Sequence, residues 1–166
     1  MIVYKNQGLT MNIKSVINEK LINLNLRGVT KDAVLRELCQ MLYENGCISN
    51  VNSFLEDVYL RESEGETGLG SHVAIPHGKS YSVIKTSIVI GKTSHSIEWE
   101  SLDDLPVNFV ILFAVRMIDK SSVHIKLLSQ VSELLADDDL LEQLLNINSK
   151  QELFTLFAKV KGVYES

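Results

Sequence analysis

The residue types best suited to chemistry gather in one stretch, Arg61-Glu-Ser-Glu-Gly-Glu-Thr-Gly-Leu-Gly-Ser-His-Val-Ala-Ile-Pro-His-Gly-Lys-Ser80, with a further histidine at position 124. Pro76 fixes its own backbone and restrains Ile75 to an extended conformation, while Gly78 leaves space on the other side. His77 is therefore expected at the end of a short apolar strand, Val73-Ala-Ile75. An imidazole with a free pKa of about 6.5 is partly neutral near pH 7, and so nucleophilic. The plainer reading is a loop histidine that follows a strand, and the local sequence leaves both open.

Arg61 falls on a helical face with Phe54 and Val58, at i, i+4 and i+7, so it is expected to point inward near its helix's C-terminus. A buried guanidinium needs an anion or acceptors. An internal carboxylate or the C-terminal carbonyls would serve, and so would a phosphoryl group, whose oxygens match the bidentate fork. His124 is expected in the first turn of a helix starting at Ser121 or Ser122. Free backbone N–H groups and the positive end of the dipole collect there, which favours phosphate and the neutral imidazole. The alternative for His124 is a histidine at the edge of the core.

Other chemistries are poorly supported. Glu62, Glu64 and Glu66 read as a solvated acidic turn rather than Mg²⁺ ligands. A metallohydrolase built on His72, His77 and His124 would need Asp or Glu at matched spacing, and none is evident, so no metal and no cofactor is expected. There is no glycine-rich nucleotide loop of the Walker type, so a phosphate source would be a protein rather than ATP.

The elements that must position these residues are legible from periodicity. Ile22 to Leu26 alternates apolar and polar, as a half-buried strand does. Thr30 is placed to cap a helix with Asp32 in its first turn, with Val34, Leu35, Leu38, Met41 and Leu42 on one face and Asn45-Gly46 at its end. A second helix starts near Asn50–Ser53 and carries Arg61. Ser87–Ile90 reads as a strand, Ile97–Trp99 as a short strand or edge, and Val107–Val115 as a strand covered on both faces. Helices follow: one with Val123, Leu127, Val131 and Leu134 on its core side, one capped within Asp137–Asp139, and one opened by the capping box Ser149-Lys-Gln-Glu152 and running through Leu153, Phe154, Phe157 and Val160. The expected class is α/β, a mixed sheet flanked by helices on both faces, in a single domain.

The chain has 166 residues, 45% hydrophobic and 22% charged, which suits one globular domain. Its net charge of -5, without a basic cluster, argues against general nucleic-acid binding. No apolar run approaches the roughly 20 residues of a membrane span, and Met1–Thr10 does not read as a signal peptide. Cys39 and Cys47 match no redox or zinc motif, and a cytoplasmic setting is expected. Residues 1–20 carry little pattern and read as an extension, with Met11 a candidate start, before a domain at 21–166.

Arg61-Glu, Thr67-Gly-Leu-Gly, Ala74-Ile-Pro-His77-Gly and Val123-His-Ile-Lys-Leu-Leu-Ser129 together resemble the enzyme IIA domain of the fructose/mannitol family. That family belongs to the bacterial phosphoenolpyruvate-dependent sugar phosphotransferase system. The resemblance covers roughly Leu21 to Val160, including Ile97–Trp99 and Pro106-Val107. It implies a phosphotransferase: His77 accepts a phosphoryl group from an HPr-like histidine carrier and passes it to an enzyme IIB component for sugar uptake. It implies His124 as the second histidine of the site, supporting the phosphoryl group, and Arg61 as its charge partner. Membrane association would be indirect, through the transporter. Gly68, Leu69, Val73 and Ile75 would form an apolar surround for a docking carrier, over an interface below about 1,200 Å². His72 stands where the family usually has a small residue. In an extended segment its odd offset from His77 would turn it to the opposite face, outside the relay. A regulatory member like the nitrogen-related enzyme IIA, acting through phosphorylation-dependent partner binding, is the alternative within the family. A purely structural module is the alternative outside it.

Overall fold

The computed structural model describes residues 16–119 and 121–159. They fall into two compact units, residues 18–118 and residues from 119 onward joined by Val16 and Ile17.

In the first unit a 3₁₀ turn, Glu19–Leu21, leads into β1 (Ile22–Leu26). Two helices follow, α1 (Lys31–Glu44) and α2 (Val51–Glu62), then β2 (Gly68–Gly70), β3 (Val73–Ala74), β4 (His77–Ser80), β5 (Ser87–Ile97) and β6 (Val107–Arg116). The expected caps form: Thr30 accepts a hydrogen bond from the Ala33 amide and Asn50 from the Ser53 amide. Gly46, at a φ of 73°, takes the left-handed position that ends α1.

The strands make one mixed sheet in the order β1-β5-β6-β3-β2, with β4 also on β6. β5 and β6 run antiparallel, whereas β1 on β5 and both β3 and β4 on β6 run parallel. The α/β class and the mixed sheet expected from the sequence are therefore those of the protein. Val107 and every residue from 109 to 115 of β6 are buried, which explains its unbroken apolar run. Val34, Leu35, Leu38 and Leu42 of α1 and Phe54, Leu55 and Val58 of α2 share a core with Val110, Leu112 and Ala114 of β6.

β5 is longer than its apolar segment suggested. Gly91 and Thr93 continue the buried alternation while β1 and β6 pair on its two sides. The exposed residues Ser94–Ser96 carry the strand past a register shift to Ile97, which closes β5, and Trp99 lies beyond it.

The second unit contains α3 (Ser121–Ala136), α4 (Asp138–Leu145) and α5 (Lys150–Phe157). Leu127, Val131 and Leu134 are buried, as their spacing requires. Asp137 caps α4, accepting from the amides of Asp139 and Leu140. Ser149 caps α5, but only half of the expected box closes. The Glu152 amide donates to Ser149 Oγ, while the Glu152 carboxylate takes the Asn148 amide instead of that of Ser149. Val160 and residues 1–15 lie outside the described residues. No helix among the described residues is long and apolar enough to cross a membrane.

Candidate functional site

His77 opens a strand rather than closing one. β3 and β4 share one register along β6, with Val73 opposite Phe109, Ala74 opposite Val110 and His77 opposite Phe113. The Phe113 amide donates to the Pro76 carbonyl at 3.0 Å, so the register passes through the proline. Pro76 has no N–H to return, and the ladder breaks there. His77 thus sits just after a rigid interruption, 9% exposed.

The next residue sets how closely a helix approaches. A Cβ on Gly78 would lie 2.9 Å from both Phe54 Cε2 and Val58 Cγ2. Only glycine lets the Phe54/Val58 face of α2 rest on β4 at this spacing. Arg61, on the same face as Phe54 and Val58, is thereby carried to His77. Its Nε–H donates to His77 Nε2 at 3.0 Å, and its Nη1 donates to the Gly65 carbonyl at 3.2 Å. The inward arginine read from helical spacing has its partner, a ring nitrogen and not a carboxylate.

This contact fixes the tautomer. Arginine can only donate, so Nε2 presents its lone pair and Nδ1 carries the proton, which it gives to the Ile75 carbonyl at 3.2 Å. Burial holds the His77 pKa below the ordinary histidine value and the Arg61 charge adds to this, against the Ile75 hydrogen bond. The site therefore offers a neutral imidazole whose bare nitrogen faces a guanidinium.

Several expectations need correcting. Glu62 is not part of a solvated turn: its side chain is 6% exposed, one oxygen pairs with Lys31 Nζ at 2.6 Å, and the other accepts the Thr67 hydroxyl. Only Glu64 and Glu66 remain exposed. Val73 and Ile75 are buried and so cannot line a docking surface; Leu69 is half-buried. The exposed apolar side chains of this unit include Leu60, Leu102 and Leu105. His72 is not in an extended segment. Ser71 and His72 have φ values of 54° and 68°, held by a bond from the Ser71 amide to Asp103 and by His72 Nδ1 against the Pro106 carbonyl at 2.9 Å. The parity argument for His72 therefore loses its premise.

His124 lies in the first turn of α3, half-buried, in the second unit. Lys31, Thr67, Trp99 and Asp103 support the Arg61–His77 loop and were not singled out from the sequence for any such part. Lys31 lies in another helix, and no local pattern connects it to Glu62. Among the described residues no group of three or more His, Cys, Asp and Glu could hold a metal ion.

The family profile described as "Phosphoenolpyruvate-dependent sugar phosphotransferase system, EIIA 2" matches residues 15–160. A mannosyl-D-glycerate-specific EIIABC component of the same system from Escherichia coli is 32% identical over 166 residues, covering 98% of this chain and 25% of the relative. The chain thus spans about a quarter of that multidomain relative. The nitrogen regulatory protein IIA-Ntr of Neisseria meningitidis superposes with a TM-score of 0.80 at 23% identity, over 87% of this chain and 98% of the other. Enzyme IIA for mannitol from Escherichia coli, solved in complex with phosphorylated enzyme IIB, superposes with a TM-score of 0.70 at 24% identity, over 86% and 96% of the two chains.

Proposed function

Because this chain belongs to the EIIA type 2 family of the phosphoenolpyruvate-dependent sugar phosphotransferase system, we propose that it is a phosphoryl relay with Nε2 of His77 as the acceptor. The observation that carries this reading is the pair of contacts on the His77 ring: Nδ1–H on the Ile75 carbonyl and bare Nε2 against Arg61. The donor is a phosphohistidine of an HPr-like carrier, and the receiver is an enzyme IIB component, the kind of partner found with the mannitol protein.

In the step, the N–P bond of the donor breaks as a bond forms between phosphorus and His77 Nε2. The electron pair of the broken bond returns to the donor's ring nitrogen. No proton has to leave His77, because its one ring proton is already on Nδ1 and stays there, donated to the Ile75 carbonyl. A neutral nucleophile needs no general base, so the protein's work is alignment and charge compensation. Arg61 gives up its bond to Nε2 and turns its donors to the phosphoryl oxygens, where a charge-assisted fork is stronger than the bond it replaces. The same guanidinium sits where a metal bound to Nε2 would sit, and its charge repels a divalent cation. This weighs against the histidine-based hydrolase.

His124 is the proposed second histidine of the site, supporting the transferred group. The domain is taken as 21–166 and residues 1–20 as its extension. Work between a carrier fed by phosphoenolpyruvate and a transporter's IIB component places the protein in the cytoplasm. The regulatory alternative shares the first half of the relay and differs in the second.

The test is an in vitro relay of phosphoenolpyruvate, enzyme I and HPr, followed by intact-mass detection of one acid-labile phosphoryl addition. Wild type and His72→Ala should take the label, and His77→Ala should not. Labelling that survives the His77 substitution would overturn the assignment. Loss of label on adding IIB favours transport, and retention with every IIB offered favours regulation.

A further inference from the structure

Both ring nitrogens of His77 are tied into one closed circuit of contacts. Nε2 is held by Arg61, whose chain neighbour Glu62 accepts the Thr67 hydroxyl. The Thr67 carbonyl accepts the Ile75 amide at 2.9 Å, and the Ile75 carbonyl accepts His77 Nδ1–H. The circuit therefore runs Arg61, Glu62, Thr67, Ile75, His77 and back to Arg61. Its only bond between two side chains other than Arg61–His77 is the one from Thr67 to Glu62.

That bond is partly buried and reinforced from outside. Trp99 Nε1–H donates to Thr67 Oγ1 at 3.1 Å, which leaves the Thr67 proton to point at Glu62. Lys31 Nζ pairs with the second Glu62 oxygen at 2.6 Å, bonds to Glu100 and lies 5.0 Å from the centre of the Trp99 ring. A carboxylate only 6% exposed would be costly unless paired, and Lys31 supplies the pair. A loop that had only to close the chain from α2 to β2 would need no ion pair on so enclosed a carboxylate.

We infer that Thr67 and Glu62, backed by Lys31, are positioning residues for the relay: their bond sets the separation of the Ile75 carbonyl and the Arg61 guanidinium, and so keeps the proton of His77 on Nδ1 and the lone pair on Nε2. Neither residue touches the phosphoryl group. The inference rests on the reading of His77 as acceptor for its consequence, but the circuit itself stands apart from that reading.

The experiment uses the full chain, with Thr67→Val, Thr67→Ser and Glu62→Gln. Long-range ¹H–¹⁵N NMR reads the His77 tautomer directly, and the relay assay reads the rate and the half-saturating HPr concentration. In wild type the Nδ1–H form should dominate. Thr67→Val removes the hydroxyl at nearly constant shape. It should mix the tautomers and slow transfer about tenfold, with the half-saturating HPr concentration unchanged, and Thr67→Ser should restore both. Glu62→Gln keeps an acceptor for Thr67 but releases Lys31, so it should mix the tautomers and slow transfer less than tenfold. It decides the matter if Thr67→Val does not fold. Lower melting temperatures with the tautomer and rate of wild type would overturn the inference and leave the circuit purely structural. A wild type that shows the Nδ1–H tautomer but takes no label would instead overturn the acceptor reading while leaving the positioning intact.

Discussion

Gly78→Ala probes the spacing between α2 and β4, because the nearest atoms the new methyl would meet across that gap belong to Phe54 and Val58. A Cβ at this position would stand 2.9 Å from Phe54 Cε2 and Val58 Cγ2. Carbon atoms rest at about 3.5–4.0 Å, so the helix face must withdraw by about 0.6–1.1 Å or its side chains must leave their rotamers. Overpacking of this kind costs about 1–3 kcal/mol. In a chain of this length that lowers the melting temperature by about 3–10 °C. The Arg61 Nε to His77 Nε2 distance is 3.0 Å, so a withdrawal of that size carries it past hydrogen-bonding range. A misplacement of about 1 Å in a group that must align with a reacting atom lowers rates about 10²-fold. The paired assay is a thermal melt beside single-turnover labelling from phospho-HPr. The expected result is a modest drop in stability with a fall in rate far larger than any change in folded fraction. A variant that melts several degrees lower yet takes the label at the wild-type rate would refute the reasoning, since α2 would then not be setting the position of Arg61.

Three further outcomes are expected. Arg61→Ala should slow labelling about 10²–10³-fold, as loss of one charge-compensating donor does, while its melting temperature stays within a few degrees of wild type; equal loss of both, read from melts and rates together, would make Arg61 structural. His124→Ala should give a folded protein that transfers slowly or holds its label abnormally, measured by forward and reverse transfer; wild-type rates in both directions would remove its supporting part. Burial keeps His77 neutral in the fold, so its folded pKa lies below the unfolded value of about 6.5 and the unfolded chain binds the extra proton first. Stability from this group is therefore complete above that value and declines as pH falls through it towards the folded pKa, a slope that melts of His77→Ala should lack.

How much of this was readable beforehand depended on whether the cause was local. The caps at Thr30, Asn50 and Ser149, the apolar faces of α1 and α2, and the apolar run of β6 each follow from neighbours in the chain, and each formed. Arg61 was legible because its spacing from Phe54 and Val58 put it on the buried side of α2. Its partner was not, because only the approach of α2 to Gly78 brings the guanidinium to His77. The place of His77 at the start of β4 depended on the register of β6 passing through Pro76, which no window of a few residues contains. Glu62 looked solvated among Glu64 and Glu66. Its partner Lys31 lies a helix away and Trp99 lies beyond β5, so its burial was a tertiary fact. β5 was cut short because Gly91, Lys92 and Ser94 carry little strand propensity, whereas pairing on both sides decided the outcome. Gly70, at a φ of 96°, marks the start of the turn, but Ser71 and His72, which continue it in left-handed backbone, are themselves neither glycine nor asparagine; Asp103, far along the chain, holds the turn.

The account turns on which atom carries the phosphoryl group, and that can be read directly. ³¹P and ¹⁵N NMR of the protein labelled by phospho-HPr should place the one-bond nitrogen–phosphorus coupling on Nε2 of His77, with Nδ1 still protonated. A coupling to Nδ1, or to any nitrogen outside His77, would contradict it.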